Sequence, residues 1–454
     1  MSQRMTDGHG ERGEALSRPV ASASVDELVS LFASGAKAED DWRLGLEIEV
    51  TPFLLADPTK ALDLDVLIDV LDRLAEVGGF SVERDGRTPI ALRRAGEIVT
   101  VEPGGQVELA TKPYKKLKEL LDALNGYAAQ LASVGREHGV GFWAIGRHPF
   151  LTADTTMKLP KNRYLAMRKY MAGRGSRALD MMHLTGSVQC AVDFSDEANM
   201  VAKIRTAAKA SPFVSALAAS SPFSLGRPNG LRSDRMDVWR HTDDSRSGLW
   251  PEMFDDEGLT IRRYITRALE VPAMFFVRGG QYHAAEARAF SSYGHSGFEG
   301  TEVTVADFVD HLTSLFPEIR IKSYLELRGA DCLPPPEAIA LAGIWRAILD
   351  DEPTRRRIDE RLERIDYASA VALQPLIARI GLSAMSPAGP VHEVVEDIVR
   401  AAHERFLPVS AECASCVVPL LERAKEGRTI SDELLIAEQE RGILSALELV
   451  ELGR

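Results

Sequence analysis

The fold is decided by the stretch Leu44-Gly-Leu-Glu-Ile-Glu-Val50, in which every second residue is apolar. A period of two predicts a β-strand that buries one face and exposes the other to different surroundings. Glu47 and Glu49 are two residues apart, so their carboxylates project together from the face opposite the core. This pattern predicts a sheet with one apolar face and one face that carries a polar site.

Two further stretches place acidic residues in the same way. Glu102 precedes a tight Pro-Gly-Gly turn, after which Gln106 and Glu108 share one strand face, and Glu326 and Arg328 form a third pair. Carboxylates crowded on one sheet face repel one another, and burying them unpaired is costly. A divalent cation such as Mg²⁺ removes this conflict, because it takes oxygen ligands and bridges to substrate phosphates. The alternative is that each pair is the solvated face of an edge strand.

Helical spacing alternates with strand signals around these motifs. We predict helices over 24–33, 62–77, 114–138 and 196–220, and strands over 87–107, 141–146, 181–193, 271–277 and 320–327. The strands follow no strict β-α-β rhythm, which favours an α+β fold over a doubly wound parallel sheet. Residues 1–22 are predicted to be a mobile tail, 23–336 a mixed α+β domain that carries the acidic motifs, and 337–454 a helical C-terminal region.

Composition excludes several classes of protein. The 454 residues are 45% hydrophobic and 27% charged, which is typical of a globular protein rather than a disordered, collagen-like or disulfide-rich one. The net charge of −13 argues against nucleic-acid binding, and no apolar run approaches the ~20 residues of a membrane span. The four cysteines form no framework, and Cys413 and Cys416 lack the second pair that a zinc site needs. We expect a reduced, cytoplasmic protein that binds neither nucleic acid nor membrane.

Basic residues cluster in one part of this acidic chain. Lys158, Lys161, Arg163, Arg168 and Lys169 lie close together and could hold a phosphate or a carboxylate, although a solvated helix face is an equal alternative. No Gly-x-x-x-x-Gly-Lys-Ser/Thr loop is present, and no Ser-His or Cys-His arrangement suggests a protein nucleophile.

The motifs together resemble one family, the plant-type glutamate–cysteine ligases, within the glutamine-synthetase-like carboxylate–amine ligases. The stretches that carry the resemblance are Gly45-Leu-Glu-Ile-Glu, Glu102-Pro-Gly-Gly-Gln-Val-Glu-Leu, Asn162-Arg-Tyr-Leu-Ala-Met-Arg-Lys-Tyr-Met, Asp180-Met-Met-His-Leu-Thr-Gly-Ser-Val-Gln, Trp239-Arg-His-Thr-Asp-Asp-Ser-Arg, Phe316-Pro-Glu-Ile-Arg and Tyr324-Leu-Glu-Leu-Arg-Gly-Ala-Asp. They occur in order between about residue 41 and residue 350.

The resemblance implies a fold and a reaction. The fold is a curved antiparallel sheet that forms a funnel-shaped active site surrounded by helices. The reaction joins glutamate to cysteine in the first step of glutathione biosynthesis, with ATP as co-substrate and Mg²⁺ as cofactor. A γ-glutamyl phosphate forms first, and the amine of cysteine then displaces phosphate. The implied partners are these small molecules, and the chain is expected to be a monomer or a homodimer.

The resemblance also implies roles for particular residues. It makes Glu326 and Arg328 the catalytic pair of the phosphoryl-transfer step. The implied metal ligands are Glu47, Glu49, Glu102, Glu108 and Glu326, with Gln189 as a possible addition. Lys322 and Arg328 would face the ATP phosphates. Glutamate would contact Arg163, Trp239 and Arg246, with a strand from Met181 to Thr185 as part of the pocket wall.

Two departures from the family pattern leave the acceptor amine open. Thr51-Pro-Phe stands where these ligases usually carry Glu-Lys-Phe, and Glu286-Ala-Arg-Ala-Phe stands where they tend to carry Ser-Phe-Arg-Asp-Phe. The second stretch is expected near the amino-acid sites. The alternatives are therefore a ligase that joins glutamate to a different amine, and a catalytically inactive relative that acts as a regulatory subunit. The intact acidic motifs argue against the second.

Overall fold

The centre of the structure is a nine-stranded sheet in which every pairing is antiparallel. A computed structural model describes residues 16–33 and 35–454. Its strands are β1 (Leu44–Leu54), β2 (Ser81–Asp85), β3 (Thr88–Arg94), β4 (Glu97–Val101), β5 (Val107–Ala110), β6 (Val140–Trp143), β7 (Ser187–Val192), β8 (Phe223–Ser224), β9 (Arg227–Pro228), β10 (Ser247–Gly248), β11 (Phe275–Arg278), β12 (Gln281–Ala284), β13 (Phe316–Pro317), β14 (Ile319–Ile321), β15 (Leu325–Asp331), β16 (Met385–Ser386) and β17 (Gly389–Pro390). The sheet has the order β14-β15-β7-β1-β5-β4-β3-β2, and β6 pairs with the second half of β1.

Helices surround this sheet. They are α1 (Val25–Ala33), α2 (Leu64–Gly78), α3 (Leu117–Glu137), α4 (Asn162–Met171), α5 (Ala178–Leu184), α6 (Glu197–Leu217), α7 (Asp234–Arg240), α8 (Ile261–Glu270), α9 (Phe290–Ser296), α10 (Val305–Leu312), α11 (Pro335–Asp350), α12 (Glu352–Arg361), α13 (Tyr367–Ile380), α14 (Val391–Phe406), α15 (Ala411–Ser415), α16 (Val418–Glu426), α17 (Ile430–Arg441) and α18 (Ile443–Leu447). The predicted α+β class is confirmed. Within the described residues, no helix has both the length and the apolar character needed to cross a membrane.

The two faces of the sheet divide as the alternation of β1 predicts. Leu46, Ile48 and Val50 are buried in the core, where α11 packs against β1 and β7 and α6 packs against β15. Burying side chains of this size stabilises the fold by roughly 1.5–3 kcal/mol each. The register sets Glu47 opposite Gln189 of β7 and Glu49 opposite Glu108 of β5. The polar side chains of three strands are thereby brought to the face away from the core.

The strand predicted over 181–193 is wrong in its first half. Met181 lies in α5, and the strand β7 starts only at Ser187. Residues 181–184 are all buried, and so short a buried run has no periodicity to separate a helix from a strand. The strand predicted over 320–327 is in fact two strands, because a turn closes at Lys322, whose backbone N–H donates to Tyr324 O at 2.8 Å.

The chain termini bear on the predicted division into domains. Residues 1–15 of the predicted mobile tail lie outside the described residues. In the remainder of that segment, the buried Val20 donates its backbone N–H to Val303 O at 2.8 Å. Beyond residue 337 the described structure is helical apart from the two-residue strands β16 and β17. The boundaries at 22 and 336 stay a prediction.

Candidate active site

The polar face of the sheet forms the floor of a cavity of about 1130 Å³. Side chains of β1, β4, β5, β7, β14 and β15 contribute to this floor. The start of α4, with Arg163, Tyr164 and Met167, and the segment from Thr313 to Phe316 line other parts of the wall. A cavity of this size is large enough for a nucleotide and an amino acid together.

Four glutamates line the cavity and form what we call the acidic row, namely Glu47, Glu49, Glu102 and Glu108. Glu49 accepts hydrogen bonds from Ser187 Oγ at 2.9 Å and from Gln189 Nε2 at 3.0 Å. Glu108 accepts one from Thr100 Oγ1 at 3.0 Å. Among the described residues, none of the four carboxylates forms an ion pair with a lysine, arginine or histidine. Their partners are neutral, so the negative charge of the row is not compensated by direct contact.

The pKa values of three carboxylates of the row are raised, as expected for carboxylates that have no paired cation. Burial, with a contribution from Glu102, raises the pKa of Glu49 to about 7. Burial also raises the pKa of Glu108 well above its usual range, and Glu47, Glu102 and Glu49 add to the shift. The pKa of Glu102 is raised by burial too, although Lys161 and Arg163 oppose the shift. Carboxylates in this state favour any cation that enters the cavity.

The turn at 103–105 holds Glu102 in the row. Glu102 donates its backbone N–H to Gln106 O at 2.8 Å, and the side chain of Gln106 accepts from Gly104 N at 3.0 Å. The same side chain donates to Thr185 O at 2.8 Å. A Cβ at Gly104 would collide with the carbonyl oxygen of His183, so only glycine allows the turn to approach α5 this closely.

A second acidic centre lies at the cavity, and its carboxylate is paired with cations. We call it the Glu326 cluster, and its members are Arg320, Lys322, Glu326 and Arg328. Glu326 is 1% exposed, and its Oε2 accepts from Arg320 Nε at 2.6 Å and from Arg328 Nη1 at 2.8 Å. Its Oε1 accepts from Lys322 Nζ. Burial alone would raise the pKa of Glu326, but the three cations hold that pKa well below its usual range.

The Glu326 cluster is joined to the acidic row through Gln189. The amide of Gln189 donates to Glu49 and accepts a hydrogen bond from Arg328 Nη1 at its oxygen. Arg328 and Lys322 line the cavity, and their contact with ATP phosphates stays a prediction. Both oxygens of Glu326 and the amide oxygen of Gln189 already accept from cations, so this geometry gives no support to these two residues as metal ligands.

The metal ligands predicted from the sequence do not form a single cage. In the part of the chain that the structure describes, no three His, Cys, Asp or Glu side chains are grouped so that they could hold a metal ion. The donor chemistry nevertheless fits Mg²⁺, which is usually bound by one or two carboxylates while water and substrate phosphates complete its shell. Glu49 and Glu108, which are direct cross-strand neighbours, offer such a pair.

Two cations face the acidic end of the cavity. Arg163 lines it, stacks over the Phe275 ring at 5.2 Å and donates to Thr313 Oγ1 at 3.0 Å. Lys161, which precedes α4, also lines it. Neither forms an ion pair with a described carboxylate, so both can bind an anionic ligand. The prediction for Arg163 is compatible with this placement, whereas Lys161 was identified only as part of a basic cluster.

The other residues predicted to bind glutamate lie outside the cavity wall. Arg246 is fully buried, and its guanidinium donates to Asp243 at 2.8 Å, Ser314 O at 3.0 Å, Pro272 O at 2.7 Å and Tyr170 OH. With every nitrogen occupied, Arg246 cannot also bind a substrate carboxylate in this structure. These contacts give Arg246 a structural role here, and its contact with glutamate stays a prediction.

Met181, Thr185 and Trp239 are likewise displaced from the predicted pocket. Met181 and Thr185 are buried behind the turn at 103–105, and Thr185 Oγ1 donates to Met181 O at 2.8 Å. Trp239 contacts the cavity only indirectly, since its ring lies 5.9 Å from the guanidinium of Arg328 and packs edge-on against Phe316. Sequence reasoning placed them in the wall because they occur within family motifs, which do not distinguish a contact from a support.

The stretch that departs from the family near residue 286 also lies outside the cavity wall. The side chain of Glu286 is 88% exposed, and Tyr293 OH donates back to Glu286 O at 2.7 Å. The departure therefore gives no direct information about the acceptor amine. Arg320, in contrast, lines the cavity and pairs with Glu326, although only its motif and not the residue itself was singled out from the sequence.

Comparison with solved structures identifies the fold. The glutamate–cysteine ligase of Francisella tularensis, solved in complex with AMP, superposes with a TM-score of 0.56 over 90% of this chain and 87% of that chain. The two sequences are 11% identical, so the likeness concerns the fold alone. The class defined by fold and site is thus an α+β protein with the sheet architecture of a glutamate–cysteine ligase and a charged cavity on its polar face.

Sequence comparison gives the family. Residues 43–449 match the glutamate-cysteine ligase family 2. The chloroplastic glutamate–cysteine ligase A of Oryza sativa subsp. japonica is 33% identical over 406 residues, which cover 87% of this chain and 82% of the relative. The chloroplastic glutamate–cysteine ligase of Nicotiana tabacum is 34% identical over 413 residues, covering 90% and 79%. The chain belongs to the glutamate-cysteine ligase family 2.

Proposed function

We propose that the protein is an ATP-dependent enzyme that joins the γ-carboxylate of glutamate to the amine of cysteine. Its relatives are named glutamate–cysteine ligases, and its structural neighbour was solved with AMP. The observation that carries the proposal is the acidic row, which faces Lys161 and Arg163 across one cavity without pairing to either. Charges left uncompensated on both sides indicate a site that its metal and its anionic substrates complete.

The floor of the cavity changes character along β1, and this order suggests how the substrates lie. Around Gly45 the floor consists of small side chains, because Gly45 pairs with Ala191 and Ala110 lies on the neighbouring strand. These leave a flat surface for a nucleotide base. The Glu326 cluster lies beside this surface, because Glu326 pairs with Ala191 from the other side, and there Lys322 and Arg328 would contact phosphates. The acidic row comes last, and beyond it Lys161 and Arg163 would hold glutamate.

The reaction fits this order. The γ-carboxylate of glutamate attacks the γ-phosphorus of ATP, the bond from phosphorus to the ADP oxygen breaks, and an acyl phosphate forms. The amine of cysteine then attacks the acyl carbon, inorganic phosphate leaves and the amine loses a proton. Arg328 is suited to the first step, since its planar guanidinium can stabilise charge that spreads over the transferring phosphoryl oxygens. No side chain needs to act as a nucleophile.

Mg²⁺ would be held by members of the acidic row, with Glu49 and Glu108 as the pair whose register brings them together. When bound, it would neutralise phosphate charge and orient the γ-phosphate. The chain itself keeps Glu49 in place through Ser187 and Gln189, and it keeps Glu108 in place through Thr100. These neutral partners orient the carboxylates and leave their charge available for the metal.

The test is phosphate release with a panel of acceptor amines. ATP, Mg²⁺ and glutamate are supplied together with cysteine, serine, alanine, glycine or 2-aminobutyrate, and the products are identified by mass spectrometry. We expect release with cysteine, accompanied by a dipeptide that contains a free thiol. Release with another amine in preference to cysteine would replace the proposed acceptor. If no amine supports release although nucleotide binds, the protein would instead be an inactive relative.

A further inference from the structure

The strand β15 is interrupted where it carries Arg328 to the cavity. Its pairing with β7 shifts register between Leu327 and Ala330, so Arg328 and Gly329 form a bulge. In a bulge the ladder hydrogen bonds are lost, and the carbonyls there need other donors. The direction of the Arg328 side chain therefore depends on what holds this bulge.

Arg235, the second residue of α7, supplies those donors. It is 3% exposed, and its guanidinium donates to Arg328 O at 2.8 Å from Nη2 and to Gly329 O at 3.0 Å from Nη1. The two nitrogens of one planar group thus bind two successive carbonyls. From the other side, Arg328 donates its backbone N–H to Glu318 O at 3.0 Å.

The helix that carries Arg235 is itself tied to the end of β15. Asp331 accepts from Ser233 Oγ at 2.7 Å, and Ser233 caps α7 by accepting from Met236 N at 3.0 Å. Asp331 also accepts from Ser221 Oγ at 2.6 Å, and Ser221 Oγ accepts from Arg235 N at 3.2 Å. The bonds form a closed path from β15 through α7 and back to the bulge.

Two more features restrict the bulge and the side chain that it carries. A Cβ on Gly329 would collide with the carboxylate of Glu318 and with Ser215 Oγ, so the residue after Arg328 has no room for a side chain. Trp239, one helical turn after Arg235, places its ring 5.9 Å from the guanidinium of Arg328. The same helix thus contacts both the backbone and the side chain of Arg328.

We propose that Arg235 is a positioning residue for the phosphoryl-transfer step, acting through the bulge to place Arg328 against Gln189 and Glu326. The inference rests on the proposed function, since it assigns Arg328 to the transferring phosphate. Arg235 is not among the residues that line the cavity, and its hydrogen bonds reach Arg328 through the backbone of the bulge. A residue that only stabilised the fold would change the amount of active enzyme, whereas Arg235 should change the rate of each active site.

The kinetic test is a double-mutant cycle on single-turnover acyl-phosphate formation with ATP and glutamate. Arg235→Met should lower this rate about 10–100-fold in the wild-type background, since a displacement of about 1 Å can have an effect of this size. The KM values for ATP and glutamate should change less than about threefold. In an Arg328→Ala background the same substitution should have almost no further effect, because the residue it positions is absent. Equal losses in both backgrounds would overturn the proposal.

Two variants separate positioning from stability. Arg235→Lys can still donate to one of the two carbonyls and should recover part of the rate, which also provides a measurable protein if Arg235→Met does not fold. Arg423→Lys is the matched control, since Arg423 is a half-buried arginine that pairs with Glu337 and Glu433 away from the cavity. It should lower stability without lowering the rate per active site. A rate loss in the control equal to that of Arg235→Lys would contradict the proposal.

A crystal structure of Arg235→Lys decides the question independently of the reaction. We expect the bulge to shift and Arg328 to lose its contact with Gln189 or with Glu326, in line with a rate that recovers only in part. If Arg328 kept both contacts, the positioning role would be excluded even in an active ligase. If Arg328 moved but the wild-type enzyme formed no acyl phosphate from glutamate, the proposed function would fail and the structural inference would stand.

Discussion

The acidic row and the Glu326 cluster lie on the same face of one sheet and both contain glutamate, yet the carboxylates of the row lack cationic partners and Glu326 has three. The carboxylates of the row meet only neutral partners, and the pKa of Glu49 is raised to about 7, chiefly by burial. Glu326 meets three cations, which hold its pKa well below its usual range. A Glu-x-Glu or Glu-x-Arg strand motif therefore does not reveal whether its carboxylates stabilise the fold or bind a ligand.

The largest expected difference concerns stability. Glu326→Gln should lower the free energy of unfolding by about 3–5 kcal/mol, because Arg320, Lys322 and Arg328 would lose their shared counter-charge in a buried setting. Glu108→Gln should leave stability unchanged or raise it, since a buried carboxylate without a cation is removed. Urea unfolding of both variants without divalent metal measures the difference. Equal destabilisation of the two variants would show that the carboxylate of Glu108 also stabilises the fold through a charge pair.

The second expected effect is on turnover. Glu49→Gln or Glu102→Gln should lower ligase turnover roughly 100-fold, because a lost metal ligand removes several kcal/mol of charge stabilisation. Glu97→Gln serves as the control, since Glu97 starts β4 but pairs with Arg94 at 2.8 Å outside the row. Initial rates are measured over a range of Mg²⁺ concentrations. Near-normal activity of the two row variants at limiting Mg²⁺ would assign the metal elsewhere.

A third difference compares two arginines. Arg163→Ala should raise the KM for glutamate about 10–100-fold, since a hydrogen bond to a charged group contributes roughly 1.5–3 kcal/mol. Arg246→Ala should instead lower the melting temperature, because the buried Asp243, Ser314 and Pro272 acceptors would lose their donor. Steady-state kinetics and thermal unfolding are recorded for both. A specific rise of the glutamate KM in folded Arg246→Ala would restore its predicted substrate role.

The smallest expected effect is the change of the free energy of unfolding with pH. The pKa of Glu49 is raised from 4.5 to about 7, so the folded state binds more protons than the unfolded state between these values. Its contribution to stability is complete below about pH 4.5 and is lost as the pH rises through 7. Metal-free protein should therefore become less stable across this window, and Glu49→Gln should flatten the slope. A wild-type slope unchanged in the variant would assign the titration to another group.

Sequence reasoning worked where local pattern fixes geometry. The alternation at Leu46, Ile48 and Val50 was enough to place Glu47 and Glu49 on the polar face, because a strand has only two faces. The same rule held for Glu108 in β5, whereas Gln106 precedes that strand and its side chain bonds Gly104 N and Thr185 O. The local pattern was therefore sufficient to predict the acidic row, together with the α+β class.

Prediction failed where a role depends on contacts distant in sequence. Nothing near Arg246 indicates that Ser314 and Pro272 accept from its guanidinium. Arg320 and Lys322 are close to Glu326 in sequence, but only the turn between β14 and β15 brings both side chains onto its carboxylate. The strand assigned to Met181 failed for a different reason, since a four-residue run that is buried throughout does not distinguish a helix from a strand. Arg235 could not be found at all, because its acceptors are backbone carbonyls.

The glycine turn before β5 has a mechanical consequence. Repulsion within the acidic row disfavours the position of Glu102, but the contacts of the turn at 103–105 prevent this residue from moving away. Gly104 is pressed against the carbonyl of His183, Gln106 fastens the turn to Thr185 O, and Leu159 N donates to Pro103 O at 3.0 Å. These contacts keep the carboxylate of Glu102 beside the other three carboxylates of the row in spite of their mutual repulsion. A cation that enters the cavity would therefore meet ligands that are already in position. It would reduce the repulsion between the carboxylates without having to bring them together.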